Sequence, residues 1–128
     1  MNKRILIVDD EPDIVELLGM RLRKSGYEIL TAVDGMEGLE KARKEIPDLV
    51  ILDVMMPRMD GFQVCRLLKF DEKYKKIPIM MLTSRGQESD KSLGKEVSAD
   101  AYLPKPYEIN VLLKEVKRLL EGPVTPVN

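Results

Sequence analysis

The stretch Ile5-Leu6-Ile7-Val8-Asp9-Asp10-Glu11-Pro12-Asp13 decides how the rest of the chain reads. Four consecutive aliphatic residues, with no polar alternation, describe a strand buried on both faces, as in a parallel sheet covered by helices. The run stops at carboxylates, and Pro12 suits the first turn of a helix. From Asp13 to Lys24, Ile14, Leu17, Leu18, Met20 and Leu22 follow at helical spacing, with Gly26 as the stop.

The same unit recurs along the chain. Tyr27–Ala32, Leu49–Leu52, Ile79–Leu82 and the short Ala101–Leu103 read as further strands. Between and after them, Met36–Glu45, Phe62–Lys69, Glu88–Val97 and Glu108–Leu120 read as helices, the last with Val111, Leu112, Val116, Leu119 and Leu120 on one side. The expected fold is therefore α/β, a doubly wound (βα)5 unit: five parallel strands between two helical layers. Residues 1–121 form the expected domain. Gly122-Pro123 ends the last helix, and residues 122–128 read as a tail or the start of a linker.

Composition removes many chemistries. The chain has 128 residues, enough for one core without disulfide or metal support. With 44% hydrophobic and 34% charged residues it is too apolar for disorder, and it has no run suited to a membrane span. The basic start Met1-Asn2-Lys3-Arg4 leads into too short an apolar run for a signal peptide, so a cytoplasmic location is expected. A single cysteine, Cys65, excludes an internal disulfide and structural zinc, and it reads as a small core residue. No histidine means no Ser-His or Cys-His catalysis. A net charge of −1, from 21 basic and 22 acidic residues, gives no footprint for nucleic acid.

Ligands of open parallel sheets bind beyond the carboxyl ends of the strands. Those ends carry Asp9, Asp10 and Glu11 after the first strand, and Asp53 after the third. Thr83 and Ser84 follow the fourth, and Lys105-Pro106 follows the fifth. Each alone suits a turn or a helix cap. Together they set three aspartates, two hydroxyls and a lysine on one rim. Like charges so gathered call for a cation, and oxygen donors without His or Cys suit magnesium, manganese or calcium. No EF-hand spacing is present, which demotes calcium.

The first loop argues against a nucleotide. Phosphate-cradling loops place glycines and backbone donors where this chain has Asp9-Asp10-Glu11-Pro12-Asp13. A flavin phosphate loop of Ser, Thr and Gly is missing as well. A haloacid-dehalogenase-type phosphatase would want an aspartate where Met55 stands.

The motifs Leu6-Ile7-Val8-Asp9-Asp10-Glu11, Asp48 through Pro57, Met59-Asp60-Gly61, Leu82-Thr83-Ser84 and Tyr102-Leu103-Pro104-Lys105-Pro106 resemble those of receiver domains of two-component response regulators, the CheY-like superfamily. The resemblance covers about residues 3 to 121. It implies a flavodoxin-like sheet with strand order 2-1-3-4-5. It implies Asp53 as the phosphoryl acceptor, attacking phosphorus to give an acyl phosphate. Asp9, Asp10 and Asp53, with the backbone carbonyl of Met55, would hold Mg2+, for which Mn2+ can substitute. Thr83 and Lys105 would each contact a phosphoryl oxygen. Thr83 and Tyr102 would form the switch, acting on the surface of the fourth helix, fifth strand and last helix. The Lys105–Pro106 bond resembles the family's cis peptide.

By the same resemblance the chain is a switch, not an enzyme with an external substrate, and it catalyses only its own phosphorylation and dephosphorylation. The phosphodonor would be a sensor histidine kinase or a phosphotransfer protein. The recipient of the signal would be a downstream protein or an output domain, with no direct contact to nucleic acid or membrane, in a monomer or a phosphorylation-induced dimer. A phosphate-independent scaffold and a metal-dependent phosphatase are the competing readings; retention of Asp9, Asp10, Asp53, Thr83 and Lys105 speaks against the scaffold. Two departures stand out. Ser98 replaces the family's usual glycine at the end of the fourth helix, and Tyr107 replaces the commoner phenylalanine.

Overall fold

A computed structural model describes residues 2–84 and 97–121. The elements are β1 (Arg4–Val8), α1 (Pro12–Lys24), β2 (Glu28–Ala32), α2 (Gly35–Glu45), β3 (Leu49–Asp53), α3 (Gly61–Lys69), β4 (Ile79–Ser84), β5 (Ala101–Lys105) and α4 (Ile109–Glu121). All strand pairs are parallel, in the order β2-β1-β3-β4-β5. The expected helix Glu88–Val97 lies outside the described residues except for Val97, and the expected tail 122–128 lies wholly outside them.

Alternation along the strands makes two cores. Leu6, Val8, Val50, Leu52, Ile79 and Met81 face α2 and α3, where they pack with Leu39, Ala42, Val64, Cys65 and Leu68. Ile5, Ile7, Leu49, Ile51, Met80 and Leu82 face α1 and α4, against Leu18, Leu22, Leu112 and Val116. The central strands β1, β3 and β4 are therefore apolar on both sides, with helices packed on each face.

Three strands run further than their apolar runs. Ladder pairing continues through Asp53↔Leu82, Thr83↔Pro104 and Ser84↔Lys105. So Asp53 and Lys105 end their strands and Thr83 is the penultimate residue of β4; none belongs to the following loops, and the pairing holds their backbones. Pro104 is tolerated because β5 is an edge strand and a missing N–H costs no ladder bond on its open side.

The start of β5 is clamped to α3. Cys65 Sγ donates to Val97 O at 3.5 Å, and one turn later Lys69 Nζ pairs with Asp100 Oδ2 at 2.6 Å. Lys69 Nζ also donates to Ile77 O at 2.8 Å, and Asp100 Oδ2 accepts from Ile79 N at 2.7 Å. Burial pushes the Cys65 thiol up to about 12, so it is a neutral core group, as its sequence context indicated. Ser98 adopts a left-handed φ of 64°, so the conformation usual for glycine persists without one.

Candidate functional site

At the carboxyl rim of the sheet, β1, β3 and β5 bring one basic and three acidic groups together. Asp9 follows β1, where its N–H donates to Ala32 O at 3.1 Å, and its side chain is buried. The Glu11 N–H donates to Asp9 Oδ1 at 2.9 Å, which fixes that carboxylate by an Asx-type turn. Asp53 ends β3, is only 2% exposed, and accepts a long bond of 3.4 Å from the Met55 N–H. Asp10 is exposed. Asp9, Asp10 and Asp53 each offer an oxygen, and these oxygens lie within 4.8 Å of one another. An all-oxygen set of this size fits a hard divalent cation.

Lys105 supplies the cation that the acidic rim requires. Its Nζ lies 3.1 Å from Asp9 Oδ2, 3.3 Å from Asp53 Oδ1 and 3.9 Å from Glu11 Oε1. Burial alone would lower the pKa of the ammonium, but the hydrogen bond to Asp9 and the charge of Asp53 outweigh it and raise the value. The Lys105–Pro106 peptide is cis, as the resemblance implied.

Burial first, then the charge of Asp9, pushes the Asp53 carboxyl up to about 6, with Lys105 and the Met55 N–H pulling the other way. The group remains largely ionised at pH 7. It is nevertheless far less acidic than a solvated aspartate.

Thr83 is 1% exposed. Because Met81 pairs with Tyr102, and Thr83 with Pro104, the period of two sets Thr83 on the face that carries Met81 and Tyr102. Tyr102 is partly buried against the cluster of Met81, Cys65 and Val97. The Met55 side chain is 64% exposed and contributes little to packing.

Gly61 matters more to the site than its sequence context indicated. It opens α3, where Asp60 and Gln63 form a reciprocal cap. A Cβ at Gly61 would lie 2.4 Å from Asp53 O and 2.9 Å from Val54 Cα. The glycine lets the helix start press on the backbone of the buried aspartate. A contact across a loop leaves no mark in a local pattern.

Comparison with known proteins agrees with this geometry. The family model for the response regulator receiver domain matches residues 5–117. The chain belongs to that family. It is similar to the alkaline phosphatase synthesis transcriptional regulatory protein PhoP of Bacillus subtilis, with 48% identity over 94% of this chain and 51% of the relative. This receiver thus spans about half the length of that relative. Among solved structures it resembles a putative response regulator from Chloroflexus aurantiacus, with 38% identity, a TM-score of 0.90, and coverage of 95% of this chain and 100% of the other. The chemotaxis protein CheY4 of Vibrio cholerae matches at 39% identity and a TM-score of 0.87, over 94% of this receiver and 100% of CheY4. The chain is thus a receiver domain of the two-component response regulators, a signalling switch, with the expected strand order. No helix among the described residues is long and apolar enough to cross a membrane.

Proposed function

We propose that this receiver switches by accepting a phosphoryl group on Asp53. One observation carries the reading: a buried carboxylate at a strand end, 3.3 Å from an ammonium, shares a 4.8 Å cluster with two other aspartates. Asp9, Asp10 and Asp53, with the backbone carbonyl of Met55, hold Mg2+ or, in its place, Mn2+. When bound, the metal supplies positive charge against which phosphoryl oxygens can approach a carboxylate.

An Asp53 oxygen attacks the phosphorus of a phosphohistidine on a sensor histidine kinase or phosphotransfer protein. The new O–P bond forms as the N–P bond breaks, and the imidazole nitrogen leaves with the electron pair. No general base is needed, because a carboxyl at about 6 is mainly ionised at pH 7. The Lys105 ammonium bonds one phosphoryl oxygen as a point charge, and the Thr83 hydroxyl bonds another. The chain's own chemistry is limited to gaining and losing this group.

Thr83 must move its hydroxyl toward the new oxygens, which vacates space on the face it shares with Tyr102. Tyr102 turns into that space, and the surface of residues 88–97, β5 and α4 changes its affinity for a downstream protein or output domain, or for a second copy. A few kcal/mol of differential bonding, two or three charge-assisted hydrogen bonds, suffices to invert such an equilibrium. The similar Bacillus protein is named a transcriptional regulator, which supports a transcriptional output. The switching unit is residues 1–121, acting in the cytoplasm, with residues 122–128 as a tail or linker.

Intact-protein mass spectrometry after incubation with Mg2+ and acetyl phosphate tests the reading. A gain of roughly 80 Da, one phosphoryl group on the nucleophile, is expected. The gain should vanish with chelator or in Asp53→Asn. An unmodified wild-type protein would favour a scaffold, and continuous phosphate release a phosphatase.

A further inference from the structure

Glu11 occupies the N-cap of α1, yet its side chain caps nothing. The favoured N-caps are Asn, Asp, Ser and Thr, whose short side chains reach the first free N–H groups. Asp34 and Asp60 do this at α2 and α3. The Glu11 carboxylate turns instead toward the site, with Oε1 3.9 Å from Lys105 Nζ and the side chain 61% exposed. Its backbone is tied to Asp9 Oδ1 at 2.9 Å. Helix capping therefore does not account for a glutamate here.

Lys105 rests on Asp9 Oδ2 and Asp53 Oδ1, both from carboxylates of the divalent-cation donor set. A divalent ion and an ammonium that share these carboxylates repel strongly in a partly dry pocket. The ammonium has to shift, and among the described residues Glu11 is the carboxylate within 4 Å of Nζ that lies outside the triad.

We infer that Glu11 is a positioning residue that receives the Lys105 ammonium when a divalent cation enters among Asp9, Asp10 and Asp53. It holds the charge at the rim, within reach of an incoming phosphoryl oxygen. The inference rests on the reading of those aspartates as the metal donors. Glu11 is exposed and the contact is long, at 3.9 Å, so its effect is a few-fold, not an all-or-none loss.

Mg2+ titrations followed by amide NMR test it, without phosphorylation, in wild type, Glu11→Gln, Lys105→Met and the double variant. Glu11→Gln is expected to weaken Mg2+ roughly threefold in the wild-type background, inside the range measured for ion pairs near the surface. With Lys105→Met, where there is no ammonium to receive, Glu11→Gln should change affinity by less than about 1.5-fold on the same scale. The Lys105 13Cε resonance should also shift on Mg2+ addition in wild type and shift less in Glu11→Gln. Equal weakening in both backgrounds overturns the inference, because Glu11 then acts only through its field. Lys105→Gln repeats the cycle should Lys105→Met fold poorly. A wild-type protein without Mg2+ binding at these aspartates overturns the donor assignment itself, at the first titration.

Discussion

Lys105 Nζ lies 3.1 Å from Asp9 Oδ2, joining residues 96 positions apart in the chain. This ion pair, extended at 3.3 Å to Asp53, neutralises part of a pocket whose other charged groups repel one another. The lysine leaves Asp53 ionised at neutral pH but does not return it to the pKa of a solvated carboxyl.

That incomplete compensation costs stability. The folded Asp53 carboxyl titrates at about 6 against 3.8 for the unperturbed group, so between those values the folded state binds more protons than the unfolded one. By linkage, this group makes stability fall as pH rises from 4 to 6, and its full cost is present above 6. At ~1.4 kcal/mol per pH unit the gap is worth at most about 3 kcal/mol, less what Lys105 loses with its partner. Asp53→Asn should therefore stabilise the metal-free protein at pH 7.5 by about 1–2 kcal/mol and remove that part of the pH slope, measured by urea denaturation at several pH values. A variant less stable than wild type at pH 7.5 would contradict the assigned sign.

Gly61→Ala should be costly out of proportion to one methyl group. The added Cβ meets the Asp53 carbonyl at 2.4 Å and cannot be relieved by a side-chain rotation, since the obstacle is backbone. A loss of about 1–3 kcal/mol is expected on overpacking grounds, together with slower phosphorylation at saturating Mg2+. Denaturant midpoints and an acetyl phosphate time course check both. Unchanged stability would mean that the α3 start does not press on the end of β3.

Ser98→Gly should do the opposite. A left-handed serine costs roughly 1–2 kcal/mol, and glycine gives back about 0.5–1 kcal/mol of that as chain entropy in the unfolded state. A net gain of about 0.5–1 kcal/mol is the expected result of thermal denaturation, with phosphorylation unaffected. Destabilisation would indicate that Ser98 is not strained at its φ of 64°.

Most of the frame was legible because unbroken aliphatic runs such as Leu49–Leu52 admit little besides a doubly covered strand. The strand ends were less so. Asp53, Thr83 and Lys105 are polar, and their place in the ladder depends on partners in other strands. The roles proposed for Asp53 and Thr83 came from resemblance in ordered motifs, since spacing alone cannot distinguish a turn residue from a reactive one. Two features had no local signal at all: the seating of Lys105 on Asp9, and the pressure of Gly61 on Asp53. Both are contacts between segments joined only by the fold.

The switch predicts a separation of modification from response. With beryllofluoride as phosphoryl mimic, amides of Thr83 and of Ala101–Tyr107 should shift more than those of α2. Thr83→Ala should still take up the mimic but show a reduced shift around Tyr102. Two-dimensional NMR measures both. A Thr83→Ala response equal to wild type would remove this hydroxyl from the coupling.

The proposed acceptor is Asp53 and not Asp9 or Asp10, which crowd the same 4.8 Å cluster. Borohydride reduction of the phosphorylated protein converts an aspartyl phosphate to homoserine, so peptide mass spectrometry then reads out the position directly. Homoserine is expected at residue 53 alone, dependent on Mg2+. Homoserine at residue 9 or 10, or none at residue 53 in protein that has gained a phosphoryl group, would contradict it.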